Sequence, residues 1–84
     1  LDLAIGDDYV IELFSFPNPP KRPSRPESCG LRHLAFAVEN VEEKRAELLQ
    51  KGLNCEEIRI DEFTDKKFFF IADPDDLPLE FYEM

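Results

Sequence analysis

The chain has 84 residues, which bounds it at one domain with a small core. Lys and Arg number 10 against 19 Asp and Glu, and the net charge of −9 argues against a nucleic-acid or anionic-membrane partner, since either needs a basic footprint. Hydrophobic residues reach 43 %, too many for a disordered tail, while no apolar run approaches the ~18 residues of a membrane-spanning helix and no stretch reads as a signal peptide. The two cysteines, Cys29 and Cys55, are too few for a disulfide scaffold, so a reducing, cytoplasmic compartment is expected.

Residues 1–16 read as a hairpin. Leu1, Leu3 and Ile5 alternate with Asp2 and Ala4, Gly6-Asp7-Asp8 supplies a turn, and Tyr9 to Phe16 is apolar except for Glu12 and Ser15. Residues 17–30 hold five of the seven prolines, which cannot donate to a ladder, so this stretch reads as a semi-rigid connector. Lys21, Arg22 and Arg25 make it locally basic. Residues 31–38 (Leu-Arg-His-Leu-Ala-Phe-Ala-Val) predict a strand. Asn40 then offers an N-cap with Glu43 placed to reach back, the helix runs to about Lys51, and Gly52 suits its C′ position. Val41, Leu48 and Leu49, with the Arg45 stem between them, form the expected apolar stripe. Glu56 to Phe63 alternates as a strand with Ile58 and Ile60 on one face. Lys66 to Ala72 is the most apolar strand, Asp73-Pro74-Asp75-Asp76 is a turn, and Leu77 to Met84 closes the chain as a last strand. The fold class is α+β, in the order ββ, connector, β-α-β-β-β. The echo between Tyr9-Val-Ile-Glu-Leu-Phe and Pro78-Leu-Glu-Phe-Tyr suggests that the first hairpin ends a unit whose full copy follows.

A charged residue inside an apolar β-run is the informative feature, and there are three: Glu12, His33 and Glu80. Side chains alternate along a strand, so His33 shares a face with Leu31, Ala35 and Ala37, opposite the bulkier Leu34, Phe36 and Val38. By the same alternation Glu80 lies opposite Leu79 and Phe81, and Glu12 opposite Ile11 and Leu13. One imidazole and two carboxylates form a mixed N/O ligand set that suits a divalent ion such as Zn, Ni, Mn or Fe(II). Taken singly, His33 reads either as a packed, hydrogen-bonded histidine or as a ligand. Each Glu reads either as a solvated strand residue or as a ligand, and spacing alone does not bring positions 12, 33 and 80 together. The connector cations read as a solvated linker or as contacts to an anionic substrate. Arg32 reads as a structural ion-pair partner, and Cys29 as a spectator thiol or a neighbour of the metal. Phe68-Phe69-Phe70 reads as core on one face and core or cup wall on the other.

Three segments, Tyr9-Val-Ile-Glu-Leu-Phe, Gly30-Leu-Arg-His-Leu-Ala-Phe-Ala-Val and Asp73-Pro-Asp-Asp-Leu-Pro-Leu-Glu-Phe-Tyr, resemble the vicinal oxygen chelate superfamily, the glyoxalase, bleomycin-resistance and dioxygenase group. The proline connector is similar to that of its small single-domain glyoxalase I-like members. The resemblance implies paired β-α-β-β-β modules with a metal in the cup between them. It makes residues 1–16 the C-terminal hairpin of a first module, 17–30 the linker and 31–84 a complete second module. It places Leu1 in the third strand of the first module, with the earlier strands, and the fourth ligand they carry, missing. By position it makes Glu12, His33 and Glu80 metal ligands, with Glu80 and then Glu12 as candidates for the catalytic base. Glu at the position of Glu12 resembles glyoxalase I, which isomerises the hemithioacetal of a 2-oxoaldehyde and a thiol by proton abstraction and enediolate stabilisation. The implied function is therefore a metal-dependent lyase or isomerase acting on a small vicinal-oxygen substrate. The alternatives are a dioxygenase or epimerase of the same superfamily, or a non-catalytic, antibiotic-resistance-like binder. Unpaired sheet edges point to partner strands and a homodimer.

Overall fold

The computed structural model describes all 84 residues. The first hairpin forms as expected, with β1 (Asp2–Ile5) antiparallel to β2 (Tyr9–Glu12). Gly6 takes a φ of 62° at the turn, a conformation that costs glycine nothing. The regular strand ends at Glu12, although a further backbone pair joins Leu13 to Leu1. The apolar run from Leu13 to Phe16 is therefore not strand; Phe14 and Phe16 stand largely exposed with their rings stacked.

Residues 17–30 contain no regular element, as their prolines dictate. They are strapped to the far end of the chain. Ser24 Oγ donates to the Asp76 carbonyl at 2.6 Å, and Arg25 pairs with the Asp76 carboxylate. Ser24 is one of the few buried residues.

The remainder is β3 (Leu34–Val38), α1 (Val41–Gln50), β4 (Arg59–Ile60), β5 (Lys67–Ala72) and β6 (Pro78–Glu83). They build a second sheet in the order β3-β6-β5-β4, with β3 parallel to β6 and the other pairs antiparallel. Asn40 caps α1, its side chain accepting from the Glu43 amide at 2.9 Å; this is one half of the expected capping box. At the other end the Leu53 amide bonds to the Leu48 carbonyl and the Gly52 amide to Leu49, with Gly52 at φ 85°. These two bonds satisfy carbonyls that the helix end would otherwise leave open.

Two expectations need correction here. Leu49 is 44 % exposed, and the inward face of α1 is instead Val41, Lys44, Arg45 and Leu48. Adjacent Leu48 and Leu49 cannot both sit on one narrow stripe, and the stems of Lys44 and Arg45 fill it. The strand expected from Glu56 to Phe63 is only Arg59–Ile60. Asp61 ends it by accepting from the amides of Phe63 and Thr64, which bends the chain and leaves Phe63 exposed.

The helix lies across β5 and β6. Beneath it Phe81 is stacked between Phe36 and Phe69, with centroids 5.6 and 5.3 Å apart, and Val41 and Phe69 are fully buried. The register aligns Phe36, Phe81 and Phe69 across three strands on the helix side. Alternation then turns Ala35, Glu80 and Phe70, and the neighbouring row Ala37, Tyr82 and Phe68, to the opposite, uncovered face.

Candidate functional site

That open face carries the chemistry. His33 precedes β3 by one residue and continues its alternation, with Ala35 and Ala37 exposed beside it. Glu80 sits mid-strand in β6, paired in register with Ala35 on one side and Phe70 on the other. The small alanine side chains leave room above the floor of the sheet. His33 Nε2 lies 3.1 Å from Glu80 Oε1, and their side chains are 40 % and 20 % exposed. Residues 47 apart in sequence are thus joined by the parallel pairing of β3 with β6.

Phe70 supports the pair. Its ring meets the His33 imidazole edge-on at 5.2 Å and the Phe68 ring at 6.1 Å. The guanidinium of Arg59 lies over both rings, 4.9 Å from the Phe68 centroid and 5.7 Å from that of Phe70. Glu56 Oε1 fixes this layer by accepting from Arg59 Nε, Arg59 Nη2 and the Phe70 amide. Beside it opens a cleft of about 590 Å³, bordered by His33, Phe70, Arg59, Glu56, Arg32 and Cys55. Burial pushes the Cys55 thiol above its ordinary range, partly offset by Arg45.

The expected site residues meet only in part. His33 and Glu80 come together. Glu12 stands on β2, exposed, in a two-stranded sheet of its own, and no group of three or more His, Cys, Asp and Glu side chains converges anywhere in the chain. The reason is topological: the hairpin pairs with itself and shares no ladder with the larger sheet. Cys29 is exposed and does not border the cleft, whereas Cys55 does. Arg32 makes no ion pair; it donates to the carbonyls of Ser28 and Ser24 and borders the cleft with His33. Arg22 donates to the carbonyls of Leu31 and Arg32, and Arg25 is held by Asp76.

Glu56 and Arg59 escaped the sequence reading. The signal for Arg59 was the one that singled out Glu12, a charged residue inside an apolar alternation. No local pattern pointed to Glu56, which acts through a strand distant in sequence.

The two donors, an imidazole and a carboxylate at hydrogen-bond distance, are of the types that suit a divalent ion. Their separation of 3.1 Å is that of two N/O donors, each about 2.1 Å from a shared ion, meeting it near a right angle. The pattern of the Glyoxalase family, described as the Glyoxalase/Bleomycin resistance protein/Dioxygenase superfamily, matches residues 2–81. The chain belongs to this superfamily. It is 60 % identical over 82 residues to the Uncharacterized protein YaeR of Escherichia coli (strain K12), covering 98 % of this chain and 64 % of that protein. It is 57 % identical over 83 residues to the Uncharacterized protein YwkD of Bacillus subtilis (strain 168), covering 99 % of this chain and 65 % of that one. The chain thus spans just under two thirds of the curated relatives it matches. Among solved structures it superposes on the glyoxalase family protein from Enterococcus faecalis with a TM-score of 0.90 at 50 % identity, covering 98 % of this chain and 64 % of that one. SMU.1112c gives 0.85 at 47 % identity, with 98 % and 67 % covered. The superfamily's α+β architecture is therefore that of this chain. Its members commonly use divalent metals and bind small molecules.

Proposed function

We propose that the protein is a metal-dependent, glyoxalase I-like lyase or isomerase that acts on a small vicinal-oxygen substrate, a hemithioacetal of a 2-oxoaldehyde and a thiol being the class to test. The observation that carries this reading is the His33–Glu80 pair, an imidazole and a carboxylate 3.1 Å apart on the uncovered face of a sheet. His33 and Glu80 would hold the ion. Glu12 is the third proposed ligand, by its place in the last strand of a first module, and residues 31–84 are read as the second. A divalent ion there would supply Lewis acidity towards the two substrate oxygens.

The protein's own residues do the rest. Glu80 takes the carbon-bound proton as general base. The contact of His33 Nε2 with Glu80 Oε1 sets the two side chains next to each other where an ion would join them, and the Phe70 ring lies edge-on against the imidazole. The apolar surfaces of Phe68 and Phe70 limit water on that side. Exposed Phe14, Phe16 and Phe63 and the short edge strand β4 suit burial against a partner, so a homodimer is proposed. No helix is long and apolar enough to cross a membrane; the cytoplasmic location belongs to the proposal.

A second reading, a non-catalytic binder of small molecules, draws on one observation: only two of the three expected donors meet. Substituting Glu80→Gln separates the readings. Turnover of hemithioacetals, assayed with excess divalent metal so that the site stays loaded, is expected to fall by about 10²-fold or more. Full turnover with metal in place would remove Glu80 from the role of base. No turnover by the unsubstituted protein on any vicinal-oxygen substrate would favour the binder.

A further inference from the structure

We propose that the cleft beside the His33–Glu80 pair takes a compact organic oxyanion, a carboxylate or phosphate group, and that Arg59 is the specificity-determining residue that reads it. The proposal rests on the reading of the pair as a reaction centre, and adds to it the class of group the substrate must carry.

Charge is the first argument. In a chain of net charge −9, three arginines, Arg25, Arg32 and Arg59, border this cleft against two carboxylates, Glu27 and Glu56. Arg25 is matched by Asp76 and Arg59 by Glu56. Arg32 is matched by no carboxylate; its guanidinium donates to backbone carbonyls, and its buried Nε has no partner. With Asp76 counted, the arginines and carboxylates around the cleft balance at three each, and Arg32 is the one arginine of the three whose guanidinium has no carboxylate partner.

Geometry is the second. Glu56 takes Nε and Nη2 of Arg59, and the guanidinium carbon lies 4.9 Å from the Phe68 centroid and 5.7 Å from that of Phe70, two rings set nearly at right angles. Nη1 is left without a protein partner, and the Arg59 side chain is 55 % exposed. An arginine set against two rings and clamped on one edge has already lost most of its rotamer freedom, so its free edge can donate to an oxyanion at little further entropic cost. Phe70 links the two halves of the site, because the same ring lies under Arg59 and against His33. An acid group held by Arg59 would place the rest of a small molecule over that ring, next to the pair. A purely structural Arg59 would need only the ring contacts and the Glu56 contact, and would leave anion binding indifferent to its identity.

The test titrates the metal-free protein separately with benzoate and with inorganic phosphate. The readout is the NMR shift of the Phe70 amide and of the Arg59 Nε–H. Saturable shifts with benzoate, phosphate or both are expected, and which anion binds names the group as carboxylate or phosphate. Arg59→Gln should weaken binding about tenfold or more, Arg59→Lys less, because it keeps the charge and loses the fork. Lys44→Ala, on the helix and paired with Glu47, should leave binding unchanged. No saturable shift with either anion would overturn the proposal. So would Arg59→Gln binding as the parent does, or an equal loss in Lys44→Ala, which would mean bulk charge alone. Because the titration is metal-free, it fails independently of the catalytic reading. Anion binding without metal or turnover would refute only the chemistry at Glu80, and metal and turnover without anion binding would refute only the pocket.

Discussion

Replacing Phe69 with alanine is expected to remove most of the stability of this fold, while the same change at Phe68 or Phe70 is not. The three phenylalanines are consecutive in β5, so they share backbone and chemistry and differ only in the face they occupy. Phe69 is fully buried, stacked on Phe81 under the helix. Truncating a ring in such a place costs about 3–5 kcal/mol, the lost transfer energy plus that of the cavity left behind. Small domains have total stabilities starting near 5 kcal/mol, so Phe69→Ala should be largely unfolded or melt tens of degrees lower. Phe68 and Phe70 are partly buried on the open face, where no enclosed cavity forms, and their loss should cost about 1 kcal/mol each. Urea titration followed by far-UV circular dichroism measures all three. The result bears on the site, because a one-residue slip of register would turn Glu80 towards the helix and Phe81 towards the cleft. Equal losses at the three positions, or the largest loss at Phe68 or Phe70, would refute the register and with it the placement of the His33–Glu80 pair.

Two further outcomes follow from the ionisable groups. The Lys67 ammonium, bonded to Glu42, holds that carboxyl below its ordinary value of 4.5, and Glu42 holds Lys67 above its ordinary 10.5. The pair's contribution should therefore be present between those values. It should be lost at the acid end as pH falls through the lowered Glu42 value, and at the alkaline end as pH rises through the raised Lys67 value. Both groups are at the surface, so the effect should be small and should vanish in high salt; urea midpoints of Glu42→Gln against pH check it, and a pH-independent difference would contradict it. At neutral pH iodoacetamide should alkylate exposed Cys29 well before Cys55, whose thiol burial keeps protonated. Peptide mass mapping over time reads the order, and faster labelling of Cys55 would contradict the cleft geometry.

Much of the site was legible because alternation is a strong signal when one face is bulky and the other small. Leu34, Phe36 and Val38 against His33, Ala35 and Ala37 fixed which way His33 points before any fold was known. Glu80 between Leu79 and Phe81 worked in the same way. What the sequence could not carry was contact across strands. His33 and Glu80 meet through the parallel pairing of β3 and β6, which no local pattern encodes and which the family resemblance supplied. Glu56 is invisible for the same reason, since its role depends on the Phe70 amide 14 residues away. The overlong strand at 56–63 came from weighting Ile58, Ile60 and Phe63 above Asp61, whose side chain closes a turn. The misplaced Leu49 came from leaving out Lys44, whose stem covers the core as that of Arg45 does.

The measurement that tests the central claim most directly is divalent metal per chain after exhaustive dialysis, for the parent protein and for His33→Ala. A near-stoichiometric ion in the parent, lost in His33→Ala, is the expected result. No retained metal in the parent, or equal retention in both, would contradict a metal centre built on His33 and Glu80.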